Sequence, residues 1–140
     1  DNQVVTLGHK WGDIVLQKVA GQLNNNLRNL DFVARYGGEE FIIILPETGL
    51  AGAIETANRL RLAIKETPVE TANGLLAVTV SIGVSSNLVK GLTGLTDHTQ
   101  MMSDADQALY QAKESGKDRV GTLCVLEESG PISIATAQMN

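Results

Sequence analysis

The chain has 140 residues, of which 43% are apolar, and its formal net charge is −5. This length and apolar content suit one compact domain with a buried core and exclude a disordered chain. The acidic balance argues against a nucleic-acid partner, because a sequence-independent binder needs a basic face to neutralise phosphates.

The chain has one cysteine, Cys124, so an internal disulfide is excluded. The sequence begins without a signal peptide, and no apolar run approaches the length of about 20 residues that a spanning helix needs. We therefore expect a domain that makes no direct membrane contact and works in a reducing cytoplasm.

The first half of the chain predicts a helix followed by a hairpin. Apolar residues recur at helical spacing over 12–27, and Asp13 stands near the start, where a carboxylate suits the free amides and the helix dipole. Strands rich in β-branched and aromatic residues are predicted over 31–36 and 41–46. The second strand is apolar throughout, so we expect it inside the sheet with both faces covered.

The second half predicts two more helices, each followed by a strand. The first of these helices covers 49–67, with Thr48 as its N-cap. The strand after it, 77–85, alternates strictly between apolar and polar residues, which indicates burial on one face. The last helix covers 103–117, and the last strand covers 119–127.

Local signals mark both ends of the last helix. Ser103 and Asp106 form a capping-box-like pair that opens it, and Gly116 closes it. Met101 and Met102 lie among apolar helix positions and are most simply core residues.

The order of these elements predicts an α+β fold, a ferredoxin-like or nucleotidyl-cyclase-type sandwich. We expect a mostly antiparallel sheet with helices packed on one side. A ferredoxin-like order begins with a strand before the first helix, and here that first strand is missing or replaced. Residues 2–7, residues 131–136 or another chain could fill its place. The tail after residue 121 has no clear partner in the sequence.

The hairpin apex carries the chemistry that most needs an explanation. Gly37 and Gly38 are followed at once by Glu39 and Glu40 and then by the apolar strand. A tight hairpin with two solvated acids would explain this pattern. A site for a metal ion and phosphate groups would explain it as well, because carboxylates hold the metal and glycines admit the phosphates close to the backbone.

Four segments together resemble the GGDEF-domain diguanylate cyclases. "GGEEF" (37–41) is similar to the family's signature, and "LGHKWGD" (7–13) is similar to its "YGHxxGD" segment. "SIGV" (81–84) and "ADQALYQAKESGKDRV" (105–120) also match family blocks at fitting spacings. The resemblance covers about residues 5–121, so we expect a GGDEF domain over 1–121 and a strand and tail of unknown role over 122–140.

The resemblance implies that two GTP-loaded domains meet as a homodimer, at least transiently, and condense two GTP molecules to cyclic di-GMP. It also implies Mg²⁺ or Mn²⁺ as the cofactor, held by the catalytic residues Glu39 and Glu40. Glu39 would be the metal ligand and candidate base, and Glu40 a second metal-binding or positioning acid. The implied nucleotide-binding residues are two glycines, one acid and two lysines: Gly37, Gly38, Asp13, Lys113 and Lys117.

Arg28 and Asp31 fit the RxxD pattern at the spacing of the family's product-inhibition site. The resemblance therefore implies that cyclic di-GMP binds there, with help from Arg35 or a neighbouring cation. The same two residues also fit a plain exposed ion pair. Asp13 has a second reading of this kind, as a carboxylate that only stabilises a helix N-terminus.

This chain departs from the family at its beginning. The family's first strand carries an Asp that binds the metal, and no such strand precedes the first helix here. The position of the family's guanine-binding Asn falls on Val4, and that of the following Asp on Val5. We therefore expect a diguanylate cyclase domain that is impaired in this form. The alternative is a non-catalytic module that binds guanine nucleotide or cyclic di-GMP, or that only dimerises.

Overall fold

The computed structural model describes residues 12–88, 98–123 and 129–140. It contains three helices, α1 (Asp13–Asn25), α2 (Leu50–Lys65) and α3 (His98–Glu114). The strands are β1 (Phe32–Tyr36), β2 (Glu40–Leu45), β3 (Val69–Thr71), β4 (Gly74–Leu76), β5 (Val80–Leu88), β6 (Val120–Thr122) and β7 (Ser129–Met139). None of the helices in these ranges combines the length and the apolarity that crossing a bilayer would require.

The main sheet is mixed but mostly antiparallel, with the strand order β1-β2-β7-β5-β6. β7 lies in its centre and runs antiparallel to both β2 and β5. Of the three candidates for the missing first strand, the tail segment fills the gap, because Ser133–Gln138 pairs with both β2 and β5. Residues 2–7, with Val4 and Val5, lie outside the described residues.

The sheet is covered on both faces, not on one side as the sequence predicts. Phe41, Ile43 and Ile82 belong to a core that α1 and α2 cover. Gly83 faces the opposite way, since side chains alternate along a strand, and a Cβ there would collide with the Ala105 carbonyl and the Leu109 amide of α3. α3 therefore lies directly on the second face of β5.

This contact corrects the prediction that the strand at 77–85 is buried on one face only. Ser81 and Ser85, on the face away from the core of α1 and α2, are fully buried. The alternation in the sequence reflects two different partners: an apolar core on one face and the closely packed backbone of α3 on the other. The prediction that β2 lies inside the sheet is confirmed, because β1 and β7 flank it.

Two predicted helix starts are wrong. α2 takes Gly49 as its N-cap without a side-chain hydrogen bond, while the Thr48 hydroxyl donates to the Pro46 carbonyl at 2.9 Å. α3 begins at His98, so Ser103 lies inside the helix instead of capping it. At Thr48 a local bond to Pro46 has replaced the capping bond, and at Ser103 the helix simply begins earlier in the chain.

The remaining predictions fare unevenly. Gly116 closes α3 as predicted, with φ +129°. Met101 is buried in a small cluster under α3, with Met102 packed against it. The β3–β4 hairpin was not predicted. Of the strand predicted at 119–127, only Val120–Thr122 is strand in the described range, and residues 124–128, including Cys124, lie outside it.

Candidate functional site

The hairpin between β1 and β2 presents its apex as an accessible loop. Tyr36 pairs with Glu40, which leaves Gly37, Gly38 and Glu39 as the turn. Gly37 has φ +71°, and a Cβ built on it would meet no atom within 4 Å. Its backbone is therefore open to a ligand, and its φ lies in the region that glycine adopts without strain.

Glu40 begins β2 on the face that α3 covers, because its neighbour Phe41 faces the core of α1 and α2. Its carboxylate is half-buried. Burial is the main reason that the pKa of Glu40 is raised, and the charge of Asp106 raises it further, while Lys113 opposes both. A carboxylate held at a raised pKa without a full countercharge is typical of functional sites, although structural charge clusters also produce it.

Lys113 stands in the last turn of α3 and reaches the end of the central strand. Its Nζ donates to Gln138 Oε1 at 2.6 Å. Gln138 is also the cross-strand partner of Glu40. The end of α3, the end of β7 and the start of β2 therefore bring an ammonium, an amide and a carboxylate together beside the hairpin apex.

Lys117 follows α3 in the turn that closes the helix. It adopts φ +63°, and its amide donates to the Ala112 carbonyl at 3.0 Å. Its side chain is exposed. The turn thus directs the chain away from the axis of α3 shortly after Lys113. Lys117, the second predicted phosphate-binding cation, therefore lies in solvent.

Asp13 is the first residue of α1, and its side chain is exposed. The N-cap, Gly12, has no side chain to satisfy the first amides, so a carboxylate at this position suits the helix dipole. The same exposure leaves the carboxylate accessible to a ligand. Both readings of Asp13 stay open.

Arg28 and Asp31 form a tight corner before β1. Arg28 Nη2 lies 2.7 Å from Asp31 Oδ1 and also donates to the Pro46 carbonyl at 2.8 Å. The Arg28 amide donates to Asp31 Oδ2 at 2.8 Å. The side chain of Asp31 is only 2% exposed, against 46% for Arg28. This pair is more buried on the acid side than the exposed ion pair that the sequence suggests.

The charge balance of this corner is the reverse of that at Glu40. Burial raises the pKa of Asp31, but hydrogen bonds and charge from Arg28, with a smaller contribution from Arg59, outweigh burial and leave the pKa below its usual value. The carboxylate therefore remains ionised with its countercharge in contact. Such an arrangement is typical of a structural ion pair.

Arg35 and the Arg28 corner lie at opposite ends of β1. Arg35 Nε donates to the Gly38 carbonyl at 3.0 Å, which ties it to the hairpin apex. The cation near Asp31 is Arg59 of α2, whose Nη2 donates to the Asn26 carbonyl at 3.0 Å. The structure thus brings Arg28, Asp31 and Arg59 together, and it places Arg35 beside the other predicted site.

Sequence reasoning did not identify Asp106, Gln138 or Arg59 as members of these clusters. Asp106 lies one helical repeat of seven residues before Lys113, a spacing that puts both on one face of a helix and that could have been noticed. Gln138 offered no such signal, because its strand had no predicted partner. Arg59 meets Asp31 only through the packing of α2.

The described residues do not make a complete metal site by themselves. No group of three or more His, Cys, Asp or Glu side chains within 12–88, 98–123 and 129–140 is placed to hold an ion. The hairpin supplies Glu39 and Glu40, which suits Mg²⁺ only if a nucleotide brings further oxygen ligands. The central strand adds an amide where a third carboxylate would be needed.

Comparisons with known proteins agree on one family. The family described as "Diguanylate cyclase, GGDEF domain" matches residues 4–119. The response regulator PleD of Caulobacter vibrioides is 43% identical over 117 residues, which are 82% of this chain and 25% of PleD. The diguanylate cyclase DosC of Escherichia coli is 40% identical over 116 residues, 82% of this chain and 24% of DosC. The chain thus spans about a quarter of the length of these relatives.

Solved structures give the same result. The diguanylate cyclase SiaD of Pseudomonas aeruginosa, solved with its activator SiaC, has a TM-score of 0.69 at 36% identity. The match covers 83% of this chain and 43% of the SiaD chain. The GGDEF domain of DgcB from Caulobacter crescentus, solved with c-di-GMP, has a TM-score of 0.66 at 30% identity. The match covers 84% of this chain and 67% of the DgcB chain. The chain belongs to the GGDEF domain family of diguanylate cyclases.

Proposed function

We propose that this domain binds GTP at the hairpin apex and condenses two GTP molecules to cyclic di-GMP as a homodimer, at a rate reduced by its incomplete metal site. GTP is a cytoplasmic nucleotide, so we also propose the cytoplasm as its location. One observation carries the proposal: Glu40, Gln138 and Lys113 converge beside an accessible glycine turn. The same place offers acids for a cation and an ammonium group for phosphate.

The roles of the residues follow from their positions. The open backbone at Gly37, followed by Gly38, lets the triphosphate lie against the hairpin amides. Glu39 and Glu40 take part of the coordination of Mg²⁺ or Mn²⁺, and phosphate oxygens supply the rest. When bound, the metal ion neutralises phosphate charge and lowers the pKa of the attacking hydroxyl.

The cations and Asp13 hold the nucleotide in position. Lys113 and the exposed Lys117 offer ammonium charges to the terminal phosphates. Asp13, at the start of α1, offers a carboxylate that can accept hydrogen bonds from a guanine edge. The reaction itself requires a second copy of the domain, because the 3′-hydroxyl of each nucleotide attacks the α-phosphate of the other. The bond between the α- and β-phosphates then breaks, and each GTP releases pyrophosphate.

The test is turnover of GTP by the purified chain with Mg²⁺ or Mn²⁺, followed by chromatography of the product. We expect a low rate of cyclic di-GMP formation that Glu39→Ala abolishes. Glu55→Ala, which removes an exposed acid from α2, is the matched control and should leave the rate unchanged. Complete absence of product from the unmodified chain would overturn the cyclase proposal.

A second candidate, binding of cyclic di-GMP without turnover, is favoured by the cluster of Arg28, Asp31 and Arg59. Two guanidinium groups next to one carboxylate can bind both the phosphates and the guanine edges of such a ligand. The DgcB GGDEF domain was solved with c-di-GMP, which supports this candidate.

Calorimetry with cyclic di-GMP tests the second candidate. We expect binding that Arg28→Ala and Arg59→Ala each weaken strongly. Arg35→Ala is the matched control, because Arg35 lies at the hairpin end of β1 and should not affect this ligand. Equal loss in all three variants would argue against a site at the Arg28 corner.

A further inference from the structure

The central strand places the neutral amide of Gln138 next to Glu40, where an added negative charge would most increase the affinity of the site for a metal ion. Gln138 is the cross-strand partner of Glu40, so the two side chains project from the same face of the sheet. Directly opposed residues in an antiparallel pair have Cβ atoms roughly 4.5 to 5.5 Å apart. Two carboxylates at that separation could share one divalent cation, whereas an amide and a carboxylate provide a single charge.

The rest of β7 cannot supply the missing charge. The segment 129–140 contains no acidic residue. Thr136 projects from the same face as Gln138, and its Oγ1 is buried and makes no hydrogen bond within the described part of the chain. It lies opposite Ile42, deeper in the sheet than Glu40. Among the described side chains of β7, the polar one directly opposite Glu40 is therefore the Gln138 amide.

The ammonium group of Lys113 lies next to the Gln138 amide. Its Nζ donates to Gln138 Oε1 at 2.6 Å, and Gln138 is the cross-strand partner of Glu40. An ammonium group so close to Glu40 opposes the approach of a second cation. In the absence of nucleotide, the lysine thus acts as a partial substitute for the metal charge.

We propose that Gln138 sets the metal affinity of this site: the domain does not retain Mg²⁺ or Mn²⁺ by itself and takes up the ion only together with the triphosphate. A single added carboxylate at position 138 would convert the site into one that binds the metal without nucleotide. This inference rests on the proposed function in one respect only, that Glu39 and Glu40 are the metal-binding acids.

The experiment measures Mn²⁺ binding to the nucleotide-free chain by electron paramagnetic resonance of the free ion. We expect weak binding by the unmodified chain and binding at least about tenfold tighter in Gln138→Glu, the scale on which outer ligands alter metal sites. Gln17→Glu, an exposed position on α1, is the control for added negative charge and should bind like the unmodified chain. Circular dichroism checks folding, and Gln138→Asp serves as the second variant if Gln138→Glu does not fold.

Gln138→Leu separates the two effects of the amide. It removes the acceptor of Lys113 without adding a charge, so we expect no tighter binding than in the unmodified chain. Nucleotide-free binding by the unmodified chain as tight as that of Gln138→Glu would overturn the proposal. An equal gain in Gln17→Glu, or a gain in Gln138→Leu, would also overturn it.

The outcome is distinguishable from failure of the proposed function because metal binding is read without GTP. If Gln138→Glu binds Mn²⁺ tightly and neither chain turns over GTP, the assignment of Gln138 holds and the cyclase proposal fails. If the unmodified chain makes cyclic di-GMP while Gln138→Glu gains no metal affinity, the assignment fails and the cyclase proposal holds.

Discussion

Two carboxylates, one just before β1 and one at the start of β2, have pKa values shifted in opposite directions. Asp31, just before β1, is almost fully buried, and contacts with Arg28 hold its pKa below the usual value. Glu40, at the start of β2, is half-buried, and burial with the nearby Asp106 raises its pKa in spite of Lys113. The first carboxylate has its countercharge within the fold, and the second has only part of one.

The difference separates stability from function. A paired carboxylate with a lowered pKa stabilises the folded state at neutral pH, because ionisation is easier there than in the unfolded chain. A carboxylate with a raised pKa destabilises the folded state when it is ionised, and a bound cation can relieve that cost. The Arg28 corner is therefore mainly a structural element, and the Glu40 site is the one at which we propose that a ligand binds.

Removing each carboxylate should test this contrast with the largest effect. We expect Asp31→Ala to lower the free energy of unfolding by about 2 kcal/mol, since it removes hydrogen bonds to a charged, buried group. Glu40→Ala should leave it unchanged or slightly higher. Urea denaturation measures both, and a loss in Glu40→Ala as large as that in Asp31→Ala would contradict the comparison.

A replacement of Lys113 should affect ligand binding more than stability. We expect Lys113→Met to weaken GTP binding about tenfold, which equals about 1.4 kcal/mol, while the free energy of unfolding changes by less than about 0.5 kcal/mol. Titration calorimetry and urea denaturation give the two values. Lys18→Met on α1, where Lys18 donates to the Glu70 carbonyl, is the control that should bind GTP normally.

The pH dependence of stability should identify the paired carboxylate. The stability that Asp31 contributes is complete above the usual pKa of an aspartic acid, about 4, and is lost as the pH falls through the lower pKa of the folded state. We expect the unmodified chain to exceed Asp31→Asn by about 1 kcal/mol at pH 7 and the gap to close in strong acid. A gap that is constant from pH 7 to strong acid would show that charge is not its source.

The smallest expected effect has the opposite sign. Because the pKa of Glu40 is raised, its ionised form costs stability at pH values above the folded-state pKa, and the cost disappears as the pH falls to the usual range of a glutamic acid. We therefore expect Glu40→Gln to be about 0.5 kcal/mol more stable than the unmodified chain at pH 7 and equal to it near pH 4. Thermal unfolding at the two pH values measures this difference in stability. If Glu40→Gln is less stable than the unmodified chain at pH 7, ionised Glu40 does not destabilise the folded state.

The parts of the fold that sequence patterns predict are the locally encoded ones. Apolar spacing identified α1 and α2, and the two glycines identified the hairpin, because these elements depend on residues close in the chain. The helix start at Thr48 was wrong because its hydroxyl donates to the Pro46 carbonyl, and the start at Ser103 was wrong because α3 already begins at His98. β7 was named only over 131–136 and only as one of three candidates for the missing strand, since its two partner strands lie far away in the sequence.

The site divides in the same way. Glu39, Glu40 and Lys113 could be named from the resemblance to a family, since each stands in a motif of its own. The amide of Gln138 and the guanidinium of Arg59 could not, because each acquires its neighbour only when separate elements pack. The composition of the proposed metal site is thus decided by a strand pairing that no local pattern encodes.

β7 also bears on how the protein is made. Among the described strands of the sheet, the central one comes last in the chain, so β2 and β5 are joined only after β7 has left the ribosome. Until then both strands present open edges, which are templates for strands of other molecules. Pairing between distant segments is also slow to form. We expect the nascent chain to depend on chaperones during this interval, and copies synthesised side by side on one messenger RNA to exchange their final strands.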